Sequence, residues 1–292
     1  MSPVFIMGTQ RSGTTLLTRV LSAHPSIFIQ NELDLPKVFA NSSSNEAVIN
    51  GIKKQLYIEA ETDLNEKIGQ QPDLLWGLKD PQLTEYIDVL RGFLPESKFI
   101  IIVRDGRGVT NSYMENKWGL GTNAYYGAQR WKREVEEQLA FMAERPGCFL
   151  FIRYEDLIDN LENELQKVCD FLGKDLSDKM LNYDQQASDF GKQRENINTF
   201  KKPDKKLAEK WKNRLSKFEI NVVEHVAGDL LEQLGYARVG KKIALSWLHL
   251  FYFKWHQKII GEIQIQYRWR KSVWQTKALY KEREKLLKRD AD

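Results

Sequence analysis

The stretch that most narrows what this chain can fold into lies near its N-terminus. Four apolar residues, Val4-Phe5-Ile6-Met7, run into Gly8-Thr9-Gln10-Arg11-Ser12-Gly13-Thr14-Thr15, and apolar residues then recur at three- and four-residue steps from Thr14 to Ala23. The pattern predicts a buried strand, a glycine-punctuated turn and an amphipathic helix. Gly8 and Gly13 have four residues between them, which is P-loop spacing, and two hydroxyl residues follow. Glycines let such a backbone curl until successive N–H groups face one anion at the helix N-terminus. A nucleotide triphosphatase loop would carry a lysine where this chain has Thr14, and here the cation moves back to Arg11. No carboxylate is evidently placed to hold magnesium, Asp105 being the nearest imitation. The loop suits a short, metal-free anionic group, against the plainer reading of a strand–helix turn that merely uses glycines.

Further runs rich in β-formers fall at Leu74–Leu78, Phe99–Val103 and Cys148–Ile152, with a weaker one at Ile27–Gln30. Helical spacing marks Leu83–Leu90, Thr122–Glu144, Leu161–Leu172 and Glu219–Leu234, with Gly173 and Gly235 in C-cap positions after the last two. Alternating strands and helices, with strands as uniformly apolar as Phe99-Ile100-Ile101-Ile102-Val103, predict a mostly parallel sheet covered on both faces. The fold class is α/β, a three-layer P-loop-type architecture with a C-terminal helical extension. Ligands of such sheets bind beyond the carboxyl ends of the strands. The later strands there run into Lys79-Asp80-Pro81, Arg104-Asp105-Gly106-Arg107 and Arg153-Tyr154-Glu155-Asp156. Cations gathered at one sheet edge point to an anionic ligand.

Composition excludes several classes. The chain has 292 residues, 42% hydrophobic and 29% charged, so a sizeable core is expected and global disorder is not. Two cysteines supply no disulfide framework and four scattered histidines no zinc spacing. No secretory signal is read in Met1–Met7, so a reducing, cytoplasmic setting is expected. The net charge of +4 hides a split, because residues 240–292 carry +8 and the remainder −4. Trp247, Trp255, Trp269 and Trp274 also lie in that last stretch. A boundary near Gly240 follows, giving a domain over 1–239 and a basic, Trp-rich helical extension over 240–292. The Asn41–Asn45 and Lys201–Lys206 stretches read as loops.

At the glycine loop the sequence resembles the sulfotransferases that use 3′-phosphoadenosine-5′-phosphosulfate (PAPS). Gly8 to Leu17 is similar to their 5′-phosphosulfate loop, and Ile100 to Tyr113 to their 3′-phosphate motif. Arg104 leaves a strand end and Ser112 stands eight residues on, two turns into the next helix, a step that lets one phosphate meet both. The order Arg-Ser-Gly-Thr-Thr-Leu-Leu, Ala23-His24-Pro25, Asn31-Glu32 and Lys79-Asp80-Pro81 resembles the tyrosylprotein branch and its bacterial relatives. The resemblance implies Glu32 as general base, with Arg11 and Lys79 stabilising charge on the transferring group. It implies donor contacts from Gly8, Thr9, Gln10, Arg11, Ser12, Gly13, Thr14 and Thr15 around the 5′-phosphate, and from Arg104 and Ser112 at the 3′-phosphate. PAPS would be the donor and PAP (3′-phosphoadenosine-5′-phosphate) the product, without a metal. The membrane anchor of the eukaryotic members has no counterpart here, which again points to the cytoplasm.

Plainer readings stand beside these. Asp34 rivals Glu32 as base, Lys79 is able to pair with Asp80 and Arg104 with Asp105, and His24 reads as a helix-terminal residue. Tyr154-Glu155-Asp156 reads as a helix cap, and Trp118, Tyr125, Tyr126 and Trp131 as packing. The acceptor expected is a hydroxyl or amine of a small molecule, with peptide tyrosine the alternative; Gly119–Tyr126 and Asp184–Lys202 are the loops that would shape its pocket. A P-loop small-molecule kinase and a non-catalytic nucleotide-binding interaction protein remain as other classes. The extension reads either as an interfacial membrane helix or as a helix packed on the body or on a second subunit, the acidic body favouring packing. No nucleic-acid module accompanies the basic residues.

Overall fold

The computed structural model describes residues 2–185, 201–202 and 204–289, with side chains up to residue 271 and at Trp274. Most of the Asp184–Lys202 loop, Pro203 and the side chain of Val273 lie outside the described residues. Contacts divide the chain into two compact units, Met1–Asp105 with Arg133–Lys210, and Gly106–Lys132 with Trp211–Asp292.

The first unit is built on an all-parallel sheet of five strands: β1 (Val4–Met7), β2 (Ile27–Asn31), β3 (Leu75–Lys79), β4 (Lys98–Val103) and β5 (Phe149–Arg153). Their order is β2-β3-β1-β4-β5, so β1 is central and the chain leaves it first to one side, then to the other. Such a reversal opens a crevice at the carboxyl end of the central strand. Each expected strand is present, and the one-residue shifts at its ends matter. Asn31 and Lys79 are the last residues of paired strands and stand opposite each other in the ladder.

The two faces of the sheet bury different side chains. Phe5, Phe99 and Phe149 are register partners on three neighbouring strands, with ring centroids 5.2 Å and 4.9 Å apart. Phe141 closes edge-on over the last two. On the other face Val4, Ile6, Ile100, Ile102 and Ile152 pack with Leu17, Val20, Leu165 and Val168. Each fully buried side chain of this kind contributes about 1.5–3 kcal/mol, so the core fixes the strand ends firmly.

Several helices differ from expectation. Leu83–Leu90 is a 3₁₀ turn over Pro81–Tyr86 followed by one α turn, Ile87–Leu90, because Asp80 caps the segment and Pro81 opens it. The Asn41–Asn45 stretch is only partly loop. Ser44 caps a helix over Asn45–Ala60, accepting from the Ala47 amide at 3.1 Å, and a second unforeseen helix covers Leu64–Gln70.

The second unit holds the helices Gly106–Asn116, Trp211–Arg214 and Lys217–Gln233, the start of Ala124–Glu144, and a C-terminal helix over Trp247–Arg289. A capping box from Ser216 and Glu219 opens Lys217–Gln233, and Gly235 in the left-handed region ends it. Arg107 and Glu224 form a buried ion pair at 2.7 Å, with the guanidinium over the Trp211 ring. Among the described residues no helix is long and apolar enough to cross a membrane.

Candidate active site

The loop after β1 depends on its glycines for close approach. A Cβ on Gly8 would stand 2.5 Å from the Ile102 carbonyl oxygen. Gly13 has φ +99°, and a Cβ there would lie 2.3 Å from Cδ2 of Tyr154. Gly13 is also the N-cap of helix Thr14–Ser22, and no side chain caps that end. The first-turn N–H groups thus remain available to an anion. Ser12 ties the loop by donating to the Thr9 carbonyl at 2.7 Å, while Thr9 Oγ1 and Gln10 Oε1 are buried without a partner. Arg11 sits at φ +73°, a conformation rare for a side chain of its size. Its carbonyl accepts from Arg104 at 3.2 Å, and the Arg104 guanidinium lies over the Tyr154 ring at 4.8 Å.

Beside this loop stands a paired acid and base. Glu32 follows β2 with φ +53°, and its amide donates to the Lys79 carbonyl at 2.8 Å, extending the β2–β3 ladder by one bond. The two side chains then meet, with Lys79 Nζ 2.6 Å from Glu32 Oε1 and 3.4 Å from Thr15 Oγ1. Lys79 is fully buried and Glu32 is half in solvent. Burial draws the Lys79 ammonium below its ordinary pKa, and the Glu32 carboxylate opposes that shift. Asp80 is buried too; burial pushes its carboxyl up to about 6, against the Gln82 amide that it accepts from.

A buried cation on a half-exposed carboxylate, next to an open helix N-terminus, suits transfer of a charged group to an acceptor that must lose a proton. The model of the Sulfotransferase family matches residues 3–178 of this sequence, which include the loop, Glu32, Lys79 and Arg104. The chain belongs to the sulfotransferase family. A Caenorhabditis briggsae protein provisionally named a protein-tyrosine sulfotransferase is 29% identical over 62% of this chain and 68% of its own length. Protein-tyrosine sulfotransferase 2 of Gallus gallus is 26% identical over 80% of this chain and 69% of its own. The sulfotransferase domain from the curacin biosynthetic pathway shares the fold, with a TM-score of 0.59 at 24% identity over 82% of this chain and 99% of that one.

Within this sulfotransferase the geometry brings Gly8 to Thr15, Glu32, Lys79 and Arg104 to the carboxyl edge of one sheet. Ser112 lies on helix Gly106–Asn116 of the second unit, its Oγ accepting from Asn116 Nδ2 at 3.2 Å. Asp34 is engaged elsewhere, capping helix Leu35–Val38 and pairing with Lys37 at 2.7 Å, so Glu32 is the carboxylate on the buried lysine. His24 is structural: Nδ1 accepts from the Ser26 amide and Nε2 meets the Asp175 carbonyl, each at 3.0 Å. Trp131 is core, lying where a Cβ on Gly106 would intrude. Arg107, one of the strand-edge cations, is consumed by Glu224.

Tyr154 is the site residue that the sequence misassigned. Rather than capping, its ring fills the space left by the absent Gly13 side chain and supports Arg104, and burial raises its hydroxyl pKa. A glycine at the last loop position was the only available hint. Gly13→Ala is expected to cost about 1–3 kcal/mol from the left-handed backbone and the tyrosine clash. Scanning calorimetry should show a Tm lower by several degrees; an unchanged Tm would mean that loop and ring are not in contact.

Proposed function

We propose that this sulfotransferase moves a sulfuryl group from PAPS to the phenolic hydroxyl of a peptide or protein tyrosine, releasing PAP, without a metal and in the cytoplasm. The observation that carries the chemistry is the 2.6 Å contact between Glu32 and the buried Lys79 beside the glycine loop. The names of the relatives support the acceptor. It replaces the small molecule expected from the sequence.

In this reading Glu32 takes the acceptor proton as the new S–O bond forms. The S–O bond to the 5′-phosphate breaks, and charge grows on the leaving oxygen, where Lys79 and Arg11 offset it. The pair exchanges partners: once Glu32 is protonated its hold on Lys79 weakens, and the ammonium follows the developing charge. Open amides of the first helical turn, with Thr14 and Thr15, receive the 5′-phosphate, and the unpartnered Thr9 Oγ1 and Gln10 Oε1 fit a polar donor. Arg104 is assigned to the 3′-phosphate from its place at the loop, and Ser112 from the sequence step alone. Less charge converges on a sulfuryl than on a phosphoryl centre, so a metal is less needed.

Thermal unfolding tests the donor. A ligand at about 100 times its Kd adds roughly 2.7 kcal/mol, so PAP should raise Tm by several degrees where AMP or ATP with magnesium does not. Arg104→Ala should abolish the shift, and a response to ATP and magnesium alone would overturn the reading. Radiolabelled PAPS then tests the acceptor. Label on a tyrosyl peptide but not on its phenylalanine analogue is expected, whereas label only on simple alcohols or amines would restore the small-molecule acceptor.

A further inference from the structure

Among its described side chains, the C-terminal helix is held on one face. Its Gln257 and Gln264 side chains accept from the amides of Thr122 and Gly119 at 2.9 Å and 3.0 Å, and Gln257 also donates to the Gly119 carbonyl at 2.8 Å. Phe253 is buried and stacks on Tyr125, and Arg268 lies over Trp118 at 4.4 Å. These contacts recur at helical steps and hold the helix against the 118–125 segment of its own unit. The opposite face carries Leu248, Phe251, Tyr252, Trp255, Ile259 and Ile263, which are 42–59% exposed. Trp269 continues that face, about 30 Å of helix from Leu248.

Packing on the 118–125 segment therefore accounts for one face of the described helix and leaves its more apolar face exposed. A stripe of this size marks an interaction surface, and its composition indicates what covers it. Lysine is depleted at the core of protein interfaces, yet Lys254 and Lys258 stand in this segment, followed by Arg270 and Lys271. Aromatic rings with a polar edge, interleaved with basic residues, match the level of phospholipid headgroups. Charge points the same way. Residues 240–292 carry +8 and the rest of the chain −4, so an anionic surface attracts the extension and repels the remainder, while two extensions repel each other. We propose that the exposed face of the C-terminal helix, from Leu248 to Trp269, docks on an anionic phospholipid surface, lying in its plane rather than crossing it.

Flotation of the full-length chain with vesicles tests this. Vesicles of phosphatidylcholine are compared with vesicles in which about one-third is phosphatidylserine. Binding to the anionic vesicles, weakened by salt and at least about tenfold weaker for Phe251→Glu/Trp255→Glu, is expected. Both positions are exposed, so an unchanged Tm would show that the variant is folded. Absence of flotation with either vesicle overturns the proposal, as does equal binding by the folded variant. A sedimenting dimer that the double variant dissociates, without vesicle binding, would assign the face to a second copy of the chain instead.

Discussion

Glu32→Gln is expected to lower kcat by about 10²–10⁴-fold while leaving the PAP-induced thermal shift in place. The amide keeps the shape of the carboxylate and still accepts a hydrogen bond from Lys79, but it cannot take a proton. Half of the Glu32 side chain is in solvent, so the exchange removes no buried packing and Tm should change little. Single-turnover kinetics with preloaded donor make the test clean, because they isolate the chemical step from binding. A variant that transfers at the parental rate would remove Glu32 from the mechanism and send the search for a base to the acceptor itself. Parallel loss of donor binding would recast it as a structural support for the loop.

Lys79→Met should be comparably damaging for a different reason. Methionine fills much of the same volume and keeps the strand end packed, yet it withdraws a fully buried ammonium from the site. Stabilisation of charge on the leaving oxygen is then lost, and about 10²–10³-fold in kcat goes with it. The chemical step carries the loss if Lys79 acts in the transition state, whereas a rise in KM for the donor at constant kcat would mean that it only helps binding. Stability moves little or upward, since burying an ammonium costs more than burying a thioether. Leaving groups of differing acidity sharpen the comparison. Poorer leaving groups should suffer more from Lys79→Met and about equally from Glu32→Gln.

Much of this was written locally in the chain. Val4 to Thr15 names its own strand, turn and helix, and continuous apolar runs place β4 and β5 within a residue of where they lie. The Glu32–Lys79 pair was legible only as two motifs 47 residues apart, since what joins them is the parallel pairing of β2 with β3. Helix Asn45–Ala60 escaped notice because Lys53, Lys54, Tyr57 and Ile58 blur its buried stripe of Val48, Ile52 and Leu56. It also ends on Glu61 in the left-handed region rather than on a glycine. The fates of Arg107 and Tyr154 were out of reach for one reason: each is decided by a partner more than a hundred residues away, Glu224 or Gly13.

The bond from the Glu32 amide to the Lys79 carbonyl gives the site an unusual kind of permanence. Glu32 stands outside regular strand structure, in a loop that would ordinarily fray on its own, yet that bond makes it an extra rung of the β2–β3 ladder. Its amide should therefore exchange with solvent deuterium as slowly as the paired amides of β2, through opening of the ladder rather than local breathing. Active-site loops are commonly the first parts of an enzyme to melt. Here the Glu32 carboxylate should stay in place until the sheet itself gives way, so, with Glu32 as the proposed base, loss of turnover on heating should track unfolding instead of preceding it.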